Sequence, residues 1–241
     1  MATNSRLIET PRVVSREQWL SERVALLARE KELTRLGDEL SRQRRDLPWV
    51  RVEKPYVFQG PNGPATLAEL FQGRSQLLVY HFMFGPRMKE GCPSCSLVAD
   101  HFDGALPHLA ARDVTLVAVS RAPYAALESF KRRMGWRFDW VSSHGGDFNQ
   151  DFGVAFTDQQ RESGILAYNY GTAEARSADR EGASVFARDA GEVFHTYSTY
   201  NRGVEALMGT YRYLDLVPQG RDEEGLEFTM AWVRHHDRYE G

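Results

Sequence analysis

The sequence predicts an α/β layered fold, a central mixed sheet flanked by helices, and three observations predict it. The run Leu77-Leu78-Val79-Tyr80-His81-Phe82-Met83-Phe84 is too continuously apolar for a half-exposed strand and reads as a central buried one. Cys92 opens a helical segment expected to reach about Arg112. Val114–Val119 is a second buried strand. A strand, a helix and a strand joined by a parallel crossover make the core of a layered domain.

Composition sets the bounds. The chain has 241 residues, 42% hydrophobic and 12% aromatic, enough apolar content for one large domain or two small ones. A charged fraction of 26% is ordinary for a soluble protein, and the net charge of -3 argues against a general nucleic-acid binder. No stretch approaches the roughly 18 apolar residues that cross a bilayer. Met1–Arg12 lacks the apolar core of a secretory signal. The expected location is cytoplasmic, where ordinary thiols stay reduced.

The remaining elements follow in chain order. Residues 15 to 46 read as one long amphipathic helix, with Ser15 and Gln18 as a capping pair and Trp19, Leu20, Leu26, Leu27, Leu33, Leu36 and Leu40 at mostly helical spacing. Arg42, Arg44 and Arg45 suit the negative end of its dipole, and Pro48 ends it. A helix of this length outside the core docks on its own domain or on a second subunit, and the sequence leaves both open. Gln59–Pro64 is a turn, Pro123–Met134 a helix and Trp136–Val141 a strand. Thr157–Gly182 shows no clear period and reads as a long loop or an insertion. Ser184–Ala187 and Glu192–Tyr197 flank Asp189-Ala190-Gly191 as a hairpin, and Val204–Tyr213 is the last helix. The expected division is a helical extension over 1–48, a layered domain over 49–216 and an extended tail over 217–241.

The chemistry centres on Cys92-Pro93-Ser94-Cys95, which holds the only two cysteines of the chain. Pro93 suits the first helical position because it has no amide hydrogen to orphan there. Cys92 is then the N-cap and Cys95 lies one turn in. Helix-terminal amides stabilise a thiolate, and Arg87 and Lys89 in the preceding loop add positive charge, so the Cys92 pKa should fall below roughly 8.5. Cys92 is the expected nucleophile, with Cys95 resolving the mixed disulfide. A zinc site is disfavoured because a structural one takes four ligands and no second such pair exists. His81, His101 or His144 beside the cysteines would be needed for a soft metal. No cofactor is implied. By strand alternation His81 shares a face with Val79 and Met83, while Tyr80, Phe82 and Phe84 share the other. His81 and Tyr80 both stand as candidates for a proton relay to the buried thiol. Tyr197, Tyr200 and Arg202 near the end of the hairpin either line the active face or pack as ordinary aromatic neighbours, and packing is the preferred reading.

This order of elements resembles the thioredoxin fold. More closely, Tyr80–Pro86, Gly91–Ser96, Arg133–Trp136, Asp147–Phe152 and His195–Tyr200 resemble an uncharacterised bacterial family of thioredoxin-like proteins, domain of unknown function 899. The resemblance runs from the N-terminal helix to about Gly220-Arg221 and implies the fold but no substrate. Thioredoxins carry a cis-proline opposite the cysteines, and the matching place, about Ala183, has none. Peroxiredoxins place a proline seven and a threonine three residues before their reactive cysteine, where this chain has Gly85 and Lys89. The reading that follows is a dithiol-disulfide oxidoreductase with a disulfide substrate or thiol reductant as its partner. A thiol peroxidase, and a non-catalytic scaffold that binds a metal or a partner, are the alternatives.

Overall fold

The computed structural model describes residues 11–240 other than Arg176. The expectation for Met1–Arg12 lies outside the described residues over positions 1–10. The chain divides into two compact units, one running up to Pro48 and including Leu214–Asp222, the other made of Trp49–Tyr213 and the residues from Glu223 onward.

The first unit is built on helix α1 (Arg16–Arg45). Ser15 Oγ accepts from the Gln18 amide at 3.2 Å, which satisfies one of the amides that a helix start leaves unpaired. The Asp46 amide closes the other end on the Arg42 carbonyl at 3.1 Å. Three arginines, Arg42, Arg44 and Arg45, occupy the last turn, where cations are favoured. None of its side chains is buried.

The second unit is a layered sheet. Strands β1 (Val50–Arg51), β2 (Val57–Gly60) and β3 (Gly63–Thr66) precede β4 (Gln76–His81). Helices α2 (Pro93–Ala99) and α3 (Phe102–Ala110) lead to β5 (Val114–Ser120), and α4 (Tyr124–Arg133) to β6 (Asp139–Ser142). The short α5 (Phe148–Asp151) and α6 (Asp158–Glu162) are followed by the pair β7 (Ile165–Tyr168) and β8 (Gly171–Glu174). Then come β9 (Gly182–Asp189), β10 (Glu192–Tyr200) and α7 (Thr210–Leu214). Eight strands form one sheet in the order β1-β10-β9-β4-β5-β6-β2-β3. β5 pairs parallel with both β4 and β6, whereas β9 is antiparallel to β4 and β10 to β9. Two parallel crossovers followed by an antiparallel hairpin on the other side of the central strand make this a thioredoxin-like fold.

β4 is hydrogen-bonded on both edges, which explains its continuous apolar sequence. Its alternation assigns the two faces. Leu77 and Val79 enter a core with Phe58, Phe71, Phe148 and Phe186, and the His81 ring lies beside Phe148 on the same side. Tyr80 points the other way, edge-on to Phe102 of α3 at 5.3 Å.

Three expectations need correction. The helix expected from Cys92 to Arg112 is two helices, broken at Asp100 and His101. There the Asp100 carboxylate accepts from Trp136 Nε1 at 2.7 Å and meets His236 Nδ1 at 2.6 Å, so long-range bonds draw the chain aside. The segment 157–182 is not a long loop. It holds α6, capped by Thr157 and Gln160, and the β7–β8 hairpin, whose turn residues Asn169 and Tyr170 both have positive φ. The last helix, expected over 204–213, is a 3₁₀ stretch Asn201–Leu207 followed by α7, with Met208 extended between them.

Candidate active site

Cys92 caps α2 with φ -60° and ψ 131°, an extended residue feeding a helix, and Pro93 takes the first turn. Its carbonyl already accepts from the Ser96 amide and the Ser96 hydroxyl, both at 2.9 Å. The two thiols are free, Cys92 partly exposed and Cys95 buried. The Met83 amide, just past the end of β4, donates to Cys95 Sγ at 3.4 Å. Pro93 is exposed and Ser94 half-buried, so the rim of the pair is open to solvent.

The two sulfurs differ electrostatically. A hydrogen bond from the Cys95 thiol lowers the Cys92 pKa, and the backbone amides of Cys95 and Ser94 assist against the opposing effect of burial. Burial drives the Cys95 pKa well above the ordinary thiol value, and its role as donor to Cys92 raises it further. Of the two thiols, Cys92 is the one that ionises first. The Cys92 side chain closes no capping hydrogen bond of its own, so the amides act on its sulfur as nearby partial charges.

Tyr80 joins this site and His81 does not. The Tyr80 hydroxyl is buried with no partner in hydrogen-bonding geometry, and Cys95 lies beside it. Burial, followed by the charge of Cys95, pushes the Tyr80 pKa well above its ordinary value. His81 faces the opposite side of the sheet, which corrects its candidacy as a relay to the thiol. Its Nε2 meets Ser184 Oγ at 2.8 Å, Ser184 Oγ meets Ser198 Oγ at 2.8 Å, and Ser198 Oγ meets His195 Nε2 at 2.7 Å.

Arg87 and Lys89 are both on the exposed loop. Arg87 is paired with Asp158 at 3.1 Å, so its charge is engaged away from the sulfur. The charged side chain whose field reaches both sulfurs is Glu181, which raises the pKa of each. Sequence reasoning missed it. Glu181 directly precedes Gly182 at the start of β9, which topology sets beside the end of β4, where Gly182 pairs with His81. The one available signal was its place two residues before Ala183, where a cis-proline was sought.

His101 and His144 are committed elsewhere: His101 Nδ1 donates to the Leu97 carbonyl at 2.8 Å and His144 Nδ1 to the Arg121 carbonyl at 3.0 Å. Among the described residues, no group of three or more His, Cys, Asp or Glu side chains could hold a metal ion. No described helix is long and apolar enough to cross a membrane. Tyr200 packs against Tyr168 and Tyr170, and its hydroxyl donates to the Phe152 carbonyl at 2.9 Å.

Fold and site together define a thioredoxin-like protein with a Cys-x-x-Cys pair at the start of the helix after its central strand. Within that class the chain belongs to the family described as bacterial protein of unknown function (DUF899), whose profile matches residues 8–239. No curated protein sequence matches it. Among solved structures, peroxidoxin BcpB from Mycobacterium tuberculosis is similar at 15% identity and a TM-score of 0.44, covering 69% of this chain and 97% of that one. A PrxQ mutant from Xylella fastidiosa has the same identity and TM-score over 69% of this chain and 94% of its own. The bacterioferritin comigratory protein of Xanthomonas campestris is 15% identical with a TM-score of 0.43, covering 69% and 95%.

Proposed function

We propose that the protein is a thiol-disulfide oxidoreductase in which Cys92 attacks and Cys95 resolves. The observation that carries this is the asymmetry of the pair: a partly exposed thiol of lowered pKa at the helix start beside a buried thiol of raised pKa. In the first step the Cys92 thiolate attacks one sulfur of a substrate disulfide. A mixed disulfide forms and the other substrate sulfur leaves as a thiolate. In the second, Cys95 loses its proton and attacks Cys92 Sγ, forming the Cys92–Cys95 disulfide and releasing the second substrate thiolate. The substrate gains two electrons and the protein dithiol loses them. The polar group beside the Cys95 proton is the Tyr80 hydroxyl, while Glu181 acts on both sulfurs through its charge. The positive end of α2 holds the Cys92 thiolate ready before substrate arrives.

The test is reduction of a small aromatic disulfide by the fully reduced protein, with peroxide consumption measured in parallel. The expected results are two thiols released per protein, loss of reaction in Cys92→Ser, and a mixed disulfide trapped on Cys92 in Cys95→Ser. Unchanged reduction by Cys92→Ser, or trapping on Cys95, would overturn the assignment. Peroxide consumed while the disulfide is untouched would move the pair to thiol peroxidase chemistry.

A further inference from the structure

The C-terminal residues return to the segment that delivers Cys92 to its helix. His235 is only 1% exposed, and its Nε2 lies 2.8 Å from the Gly91 carbonyl oxygen. A carbonyl can only accept, so Nε2 carries the proton and donates. The other ring nitrogen, Nδ1, lies 3.3 Å from the Arg133 guanidinium and 3.8 Å from the Glu90 carboxylate. At the far end of the same peptide unit, the Cys92 amide donates to the Met83 carbonyl at 3.1 Å. The Gly91–Cys92 peptide is therefore held at both polar ends, its carbonyl by the C-terminal segment and its amide by the chain leaving β4. One residue earlier, Arg238 forks onto both oxygens of Glu90 at 2.9 and 2.8 Å, so the C-terminal segment grips two consecutive residues of the loop.

The geometry points to His235 as a positioning residue for the Cys92 sulfur, acting through the orientation of the Gly91–Cys92 peptide. This rests on the redox reading of the cysteine pair. A peptide plane can rotate if one end is released, because a buried carbonyl without a donor turns to find one. Rotation here changes φ at Cys92 and swings its side chain away from the Ser94 and Cys95 amides. The C-terminal segment thus sets how much of the thiol is ionised, although it lies more than 140 residues along the chain.

His235 also packs edge-on against Phe130 at 5.2 Å, so the test must separate packing from hydrogen bonding. His235→Phe keeps an aromatic ring and removes the donor, whereas His235→Gln keeps an N–H near the Nε2 position. Each is made in the Cys95→Ser background, and Cys92 alkylation by iodoacetamide is followed against pH. In His235→Phe the thiolate titration should move up by about half to one unit, slowing neutral-pH alkylation about 2- to 5-fold, with His235→Gln recovering most of it. An unchanged rate in His235→Phe, or equal slowing in both variants, would overturn the proposal. Should His235→Phe fail to fold by circular dichroism, Arg238→Gln at the exposed outer grip must shift the titration in the same direction, and an unmoved curve there counts against the idea. Alkylation requires a thiolate but no substrate disulfide. Failure of the redox reading would therefore appear in the disulfide-reduction assay and leave this titration interpretable.

Discussion

Gly91, one residue ahead of the cysteine pair, sits where an added Cβ would come within 2.8 Å of both the Phe130 and Phe82 rings. The requirement is space, since the residue is not in the left-handed region, unlike Gly145 with φ +78° and open surroundings. Both rings are buried in an aromatic cluster with Trp140, so neither can step aside cheaply. Gly91→Ala should therefore destabilise the protein by about 1–3 kcal/mol, the usual result of overpacking. Urea denaturation of Gly91→Ala beside the parent checks it, and equal midpoints would mean that the rings give way. Tyr80 raises the opposite question. Its hydroxyl is buried without a bonded partner, an arrangement that costs stability unless it serves the neighbouring thiol.

At the scale of elements, the β7–β8 hairpin shows how a polar segment earns its structure. Leu166 and Tyr168 of β7 point inward to meet Val154, Phe156 and Tyr200 in a small core separate from the main one, while Ile165 and Ala167 point out. Leu166→Ala empties part of that core and should cost about 2–4 kcal/mol. A loss below about 0.5 kcal/mol on chemical denaturation would show that the hairpin folds independently of this packing. The hairpin was hard to read because the outward positions of β7, Ile165 and Ala167, are apolar as well, which hides the period of two. α1, β4, β5 and the start of α2 were legible because their signals are local: a capping serine, unbroken apolar runs, a proline at the first helical turn. The break between α2 and α3 was not, since the partners that Asp100 meets there, Trp136 and His236, lie far along the chain. The site divides in the same way. Cys92, Cys95 and Tyr80 are fixed by motif and strand alternation, whereas Glu181 and His235 arrive through sheet order and the C-terminal segment, which no local pattern encodes.

At the scale of the whole molecule, the sheet separates two kinds of polar chemistry. One face carries the thiols, and the other carries the hydrogen-bonded chain His81, Ser184, Ser198 and His195, which crosses β4, β9 and β10. Burial, with a smaller contribution from the nearby His195, lowers the His81 pKa to about 3. His195 is itself shifted down by burial. In the unfolded chain a histidine takes its proton below about pH 6.5. Between that pH and about 3 the unfolded state holds a proton that folded His81 refuses, so stability is complete above the unfolded value and declines as pH falls through this window. The upper size of the effect is on the order of 5 kcal/mol, with the decline ending once the folded ring protonates as well. Carboxylates titrate over part of the same range, so the comparison needs a variant that cannot charge. His81→Gln keeps a side-chain amide able to donate to or accept from Ser184 and does not titrate. Urea midpoints measured from pH 7 to pH 4.5 should fall more steeply for the parent than for His81→Gln. Parallel slopes in the two proteins would show that His81 is protonated or exposed in the folded state, and that the polar chain across the three strands does not hold it neutral.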